Sequence, residues 1–146
     1  MSLRSRSSPD DRGRVEIFNA MEVNKQRKEI TVDELPTDNP IFDIGTRTAK
    51  KFAAIILKAK TIVVSGPVGV FENPEFKKGS QIVLEAVAES EGYSLVGGGH
   101  TVAAVEKLGL AKKMSYVSTA GGALIEFLMG KQLPGVVALE KAASRT

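Results

Sequence analysis

Apolar and polar positions of this 146-residue chain settle into a repeated beat after residue 45. Ala49, Phe52, Ala53 and Ile56 fall on one face at helical spacing, and TIVVSG then reads as a buried strand ending in glycine. Ile82, Val83, Ala86 and Val87 mark a second helix with Glu85, Glu89 and Glu91 outward, and YSLVGGG is a strand running into glycines. Val102 to Leu108 predicts a short helix, MSYVSTAGG a third strand into glycines, and Leu124, Ile125 and Leu128 a further helix. Each strand is short and almost wholly apolar, the pattern of strands covered on both faces. Upstream, VEIFNAMEV alternates and ITV is β-branched, so both predict strands. Residues 35–45 (LPTDNPIFDIG) carry the Pro, Asp and Gly of a connection.

Strand, glycines and helix in alternation predict an α/β fold, a parallel, doubly wound, Rossmann-like sheet in three α/β/α layers. Right-handed crossovers bring the C-terminal ends of such strands to one rim. That rim would carry three turns: residues 65–72 (SGPVGVFE), 97–101 (GGGHT) and 118–123 (STAGGA). Glycine lets a backbone approach a ligand closely, and just before a helix it leaves N–H donors free at the positive end of the helix dipole. That combination binds phosphate. One such turn serves equally well just to reverse the chain; three on a common rim favour an anion site. The spacing is not that of a Walker A loop, and Val102 stands where a dinucleotide fingerprint needs its third small residue, which disfavours a dinucleotide oxidoreductase.

Composition narrows the chemistry. With no cysteine, disulfides, zinc–thiolate sites, iron–sulfur clusters and cysteine nucleophiles are excluded, and a single histidine rules out a His-rich metal centre. The formal charge is +3, and residues 1–14, with four arginines against two aspartates, supply two of those charges, so the remainder carries no nucleic-acid footprint. The first dozen residues, MSLRSRSSPDDR, lack apolar period and predict a disordered or expression-derived arm over residues 1–13. An RNA-binding role for this arm is the weaker alternative, since the run is short and free of aromatics. No apolar run reaches the roughly 18 residues of a membrane span, and no signal-peptide core is evident. The expectation is a cytoplasmic protein with neither nucleic acid nor membrane as partner.

A family resemblance rests on these same turns. TIVVSGPVGVFENPEFKKG, SLVGGGHTVAAVEKLG and YVSTAGGALIEFLMGKQLPGVVALEKA resemble the three blocks that close the C-terminal, nucleotide-binding domain of phosphoglycerate kinase. PIFDIGTRTAKKF is similar to that family's D-I-G segment, and VEIFNAMEV sits where the third strand of that domain lies. The similarity runs from about Val15 to the end, so residues 14–146 read as a partial domain of this kind. The resemblance implies reversible phosphoryl transfer between 1,3-bisphosphoglycerate and magnesium-ADP, giving 3-phosphoglycerate and ATP, as a step of glycolysis. It implies nucleotide binding by Gly66, Pro67, Gly69 and Glu72, with the Glu72 carboxylate on the ribose hydroxyls. Gly98, Gly99, His100, Thr101 and Val102 would wrap the phosphates, mostly through backbone N–H groups. Gly121 and Gly122 would open the last helix and stabilise the phosphoryl group in flight, which suits a reaction that depends on positioning and electrostatics.

Three positions depart from the commonest family pattern. His100 stands where an Asp that helps hold Mg²⁺ is usual, and imidazole suits magnesium poorly, so the metal would be carried mainly by the nucleotide phosphates, with no protein metal ligand. His100 would instead donate to a phosphate oxygen, or face solvent at a helix start. Ala120 replaces a glycine and Ser65 a frequent Asn; the changes at 100 and 120 are of the archaeal kind. The family's N-terminal domain, with its phosphoglycerate site, and the first two strands of its C-terminal domain, with a phosphate-contacting lysine, have no counterpart in this sequence. Three consequences are expected: an incomplete sheet, no kinase activity from this chain alone, and an exposed, hydrophobic edge at strand Thr61–Gly66. Residues 15–32 would then refold against that edge, or two chains would pair through it as a dimer. A standalone nucleotide- or anion-binding module, and a self-associating structural domain whose glycines serve packing alone, are the competing readings.

Overall fold

A computed structural model describes residues 18–23 and 26–144, so the predicted arm over residues 1–13 lies outside the described range. Two small sheets share the structure. β1 (Phe18–Val23), β2 (Gln26–Thr31) and β3 (Ile41–Ile44) form an antiparallel sheet in the order β2-β1-β3, with Val23 opposite Gln26 and Phe18 opposite Thr31. β4 (Thr61–Ser65), β5 (Tyr93–Gly97) and β6 (Tyr116–Ser118) form a parallel sheet in sequence order. The helices are α1 (Thr46–Ile56), α2 (Lys78–Glu89), α3 (Gly99–Lys107), α4 (Gly122–Leu128) and α5 (Pro134–Ala143).

The parallel sheet realises the strand–glycines–helix beat at all three predicted strands. α2 and α3 connect neighbouring strands and pack on one face, where Leu84 and Val87 of α2 and Ala104 and Val105 of α3 close over Ile62 and Val96. Ile62 and Val96 are the inward residues of the period-2 alternation, and burying each such side chain is worth roughly 1.5–3 kcal/mol. α1 packs against α2 and buries Ala49 of the predicted face, with Phe52, Ala53 and Ile56 half-buried, together with the neighbouring Thr48. The opposite face of the sheet is different. Val63, Leu95 and Tyr116 lie side by side in register, and Val63, Tyr93 and Tyr116 remain 47%, 55% and 55% exposed. These strands read as covered on both faces, yet the described residues supply a helical layer for one. The sheet is thus the incomplete one expected.

Two upstream expectations need correction, and one downstream helix is added. Of the stretch 15–32, the described residues 18–23 and 26–32 do not pair with the edge of β4: β1 and β2 pair with each other, and β1 pairs with β3. Adjacent antiparallel strands close at small loop cost, whereas joining the distant parallel edge would not. The stretch 35–45 is not wholly a connection, since its IFDI segment is β3, a short edge strand that the surrounding Pro, Asp and Gly masked. α5 was not anticipated; Pro134 at its first turn is the sequence signal that marks its start.

Candidate functional site

Each strand of the parallel sheet ends in one of the glycine turns, so all three lie on the rim at the strands' C-terminal ends. Hydrogen bonds tie them together. The Gly66 N–H donates to the Thr101 hydroxyl at 2.6 Å, linking the first turn to the second. The Gly98 N–H donates to the Ala120 carbonyl at 3.2 Å, linking the second to the third. Gly98 has φ +92°, a conformation that favours glycine, and a Cβ on Gly121 would stand 3.3 Å from the Gly98 Cα. The second and third turns therefore meet backbone to backbone.

At this junction α3 begins. Gly98 is its N-cap, and the Val102 N–H already donates to the Gly98 carbonyl at 2.9 Å. The N–H groups of Gly99, His100 and Thr101 precede that first helical bond and have no hydrogen-bond partner among the described residues. Three free donors at the positive end of a nine-residue helix form a cradle whose chemistry fits an anion. Gly99 and His100 are exposed and Gly98 is half-buried, so the cradle faces solvent. Gly121 is the N-cap of α4, and Gly122 at its first position is exposed with nothing near a Cβ.

The remaining predicted residues divide by where they face. Gly66 (φ +113°) is exposed and open, Pro67 is half-buried beside it, and Ser65 ends β4 exposed. Glu72 projects from the end of the first turn with its Oε1 3.4 Å from His100 Nδ1; both side chains are largely in solvent, so the contact is a weak one that forms an ion pair when the imidazole is protonated. Thr101 is fully buried, its hydroxyl turned inward to hold Gly66, leaving its N–H at the cradle. Val102 offers no donor to the rim because its N–H is spent within α3. Gly69 also turns inward: its N–H donates to Ser80 Oγ at 3.1 Å, and a Cβ there would fall on the Asp43 carboxylate and 2.8 Å from the Phe76 carbonyl oxygen. Its lack of a side chain serves internal packing rather than close approach to a ligand.

Behind the first turn lies a charged network that sequence reasoning did not single out. The Asp43 side chain is fully buried; its Oδ2 accepts from Arg27 Nη1 at 2.7 Å and from the Gly79 N–H at 2.8 Å, and its Oδ1 from the Ile44 N–H at 2.9 Å. Arg27 Nη2 also donates to Glu29 Oε1 at 2.9 Å and to the Ile44 carbonyl at 3.1 Å. Burial works to lower the Arg27 pKa, but hydrogen bonds to Asp43 and Glu29 hold it above its ordinary value. Burial likewise opposes the charge on Glu29, yet the hydroxyl and N–H of Thr46 and the Arg27 guanidinium hold its carboxyl below the usual range. The Asp of the D-I-G segment was the available signal. An open groove of about 290 Å³ runs between β3 and this turn, lined by Ile41, Phe42, Pro67, Val68 and Val70 among others. Among the described residues there is no group of three or more His, Cys, Asp or Glu that could hold a metal ion.

Comparison with known proteins gives this geometry its context. The family model for phosphoglycerate kinase matches residues 12–131. The phosphoglycerate kinase of Haemophilus influenzae strain PittGG is 51% identical over 115 residues, covering 79% of this chain and 30% of that protein, and the strain KW20 protein gives the same values. The solved phosphoglycerate kinase of Coxiella burnetii superposes with a TM-score of 0.69 at 44% identity, over 80% of this chain and 31% of that one. That of Pyrococcus horikoshii OT3 superposes at 0.77 and 36% identity, over 91% of this chain and 34% of the other. The chain thus spans about a third of the length of the relatives it matches.

Proposed function

The chain belongs to the phosphoglycerate kinase family, and from that premise we propose that its glycine rim holds the phosphates of ADP or ATP. One observation carries the reading: the unpartnered N–H groups of Gly99, His100 and Thr101 open α3 where the second and third turns meet. Gly66 and Pro67, with Gly69 behind them, form the near wall toward the base, and Glu72 takes the ribose hydroxyls. His100 donates to a phosphate oxygen, having released Glu72. Gly121 and Gly122 stabilise the transferring phosphoryl group. Mg²⁺ arrives on the nucleotide phosphates, because the imidazole of His100 suits that hard cation poorly.

In a chain carrying the full family length, this rim would serve reversible transfer between 1,3-bisphosphoglycerate and ADP, with 3-phosphoglycerate as the other product, in the cytoplasm. Residues 14–146 then act as part of the C-terminal nucleotide-binding domain, and no described helix is long and apolar enough to cross a membrane. Residues 1–146 by themselves span about a third of their relatives' length, and a coupled assay on them is expected to register no turnover. The same free donors at the start of α3 also fit the second reading, a nucleotide-binding module without transfer.

ADP titration tests the shared core of both. A ligand that binds only the folded state raises the melting temperature by mass action, so magnesium-ADP should raise it, and Glu72→Ala should weaken the effect without changing the melting temperature of the free protein. No shift at saturating nucleotide would leave the glycines a packing role alone.

A further inference from the structure

The buried network behind the first turn is more extensive than a strand–helix contact requires. Asp43 gathers three donors from three elements: Arg27 of β2, the neighbouring Ile44 N–H of β3 and the Gly79 N–H in the first turn of α2. Its carboxylate also lies against the backbone of Gly69, where a Cβ would strike it, as it would at Gly79. The next residue of the turn is pinned to the same strand, the Val70 N–H donating to the Phe42 carbonyl at 2.8 Å. Gly69 is held from the other side by Ser80 Oγ. The middle of the turn is therefore clamped between β3 and α2, while its two ends, Gly66 and Glu72, stay exposed.

Asp43 is buried and would be costly to keep charged without a counter-ion. Arg27 supplies it, and is itself fixed by Glu29 and by the carbonyls of Ile44 and Glu75. We infer that the Arg27–Asp43 pair is a positioning device for the nucleotide site: it sets the height of the Gly69–Val70 backbone, and with it the direction in which Glu72 leaves the turn. Arg27 and Asp43 touch no ligand themselves. The antiparallel sheet, which contributes nothing to the rim directly, thereby acquires a part in its affinity. This inference rests on the nucleotide reading above for its functional half, and on geometry alone for the other half.

Two measurements on the full chain separate the halves. The first is amide hydrogen exchange in wild type, Asp43→Asn and Arg27→Lys. Loss of the clamp should speed exchange at Gly69, Val70 and Gly79 by about tenfold or more while amides of β5 keep their rates, because local opening is distinct from global unfolding. A uniform rise across both regions, or none, overturns the positioning role. The second is binding of ADP and of inorganic pyrophosphate as a probe of the cradle alone. The variants should lose about tenfold in ADP affinity and less than about twofold for pyrophosphate. Equal losses for both would mean a merely structural pair and overturn the link to the site. Should Asp43→Asn fail to fold, Arg27→Lys, which keeps the charge but not the fork, carries the same comparison. Wild-type protein that binds neither probe would sink the nucleotide reading, and the exchange result would still decide whether the pair positions the turn.

Discussion

At the scale of single residues, Thr101 shows how one side chain can serve a site without facing it. It is fully buried and accepts the Gly66 N–H at 2.6 Å. Thr101→Val keeps the shape and removes the acceptor. A stranded donor costs about 1–3 kcal/mol, and because Gly66 is exposed water can partly replace the threonine, so about 1 kcal/mol is expected. Urea unfolding measures this, and Thr101→Ser should restore most of it; equal stability of wild type and the valine variant would show that the bond contributes nothing. The resemblance had assigned Thr101 to the phosphates by position in the motif. Legibility ended there, because a motif gives the order of residues but not which way a hydroxyl turns once the chain is packed.

Among elements, the antiparallel sheet is joined to the start of α1 through Glu29, whose Oε1 accepts from the N–H and hydroxyl of Thr46. Hydrogen bonds from Thr46 and Arg27 outweigh burial and depress the carboxyl pKa in the folded state. A depressed value means that the stabilisation is fully present above the unfolded value of about 4.3. It is lost as pH falls through the lower, folded value. Glu29→Gln should therefore lower the urea midpoint at neutral pH, and the gap to wild type should close on acidification. A gap that stays constant from neutral to acid would remove the charge from the account. α2 and α3 were legible from periodicity because each buries a stripe at 3.6-residue spacing. β3 was not, since four residues with one buried position carry too little pattern.

Over the whole molecule, the parallel sheet covers one face and leaves the other open, with Val63, Tyr93 and Tyr116 half-exposed and β4 unpaired on its outer side among the described residues. Isolated exposed apolar residues are ordinary, but the row Val63, Leu95 and Tyr116 lies in register beside an unpaired strand edge, and such an edge invites another strand. Two chains should accordingly associate through this surface, in a concentration-dependent manner visible by sedimentation velocity. Val63→Lys should shift them toward monomer, because a lysine on an edge strand opposes pairing. A wild type that sediments as a monomer throughout, or a variant that associates equally, would remove this role from the edge.

By itself the sequence determined the strand–glycines–helix alternation, the parallel order of β4, β5 and β6, and the gathering of their three glycine turns on a common rim. These follow from short-range periodicity and the handedness of crossovers, both of which act along the chain. Tertiary structure decided which of those turn residues present a donor and which face inward. Gly66 meets Thr101 across 35 positions, Asp43 meets Gly79 across 36, and Arg27 meets Asp43 across 16. No local window contains both partners of such a bond, so the inward turn of Gly69, the buried charge pair and the pairing of β1 with β3 emerge only when distant segments compete for the same hydrogen-bonding groups.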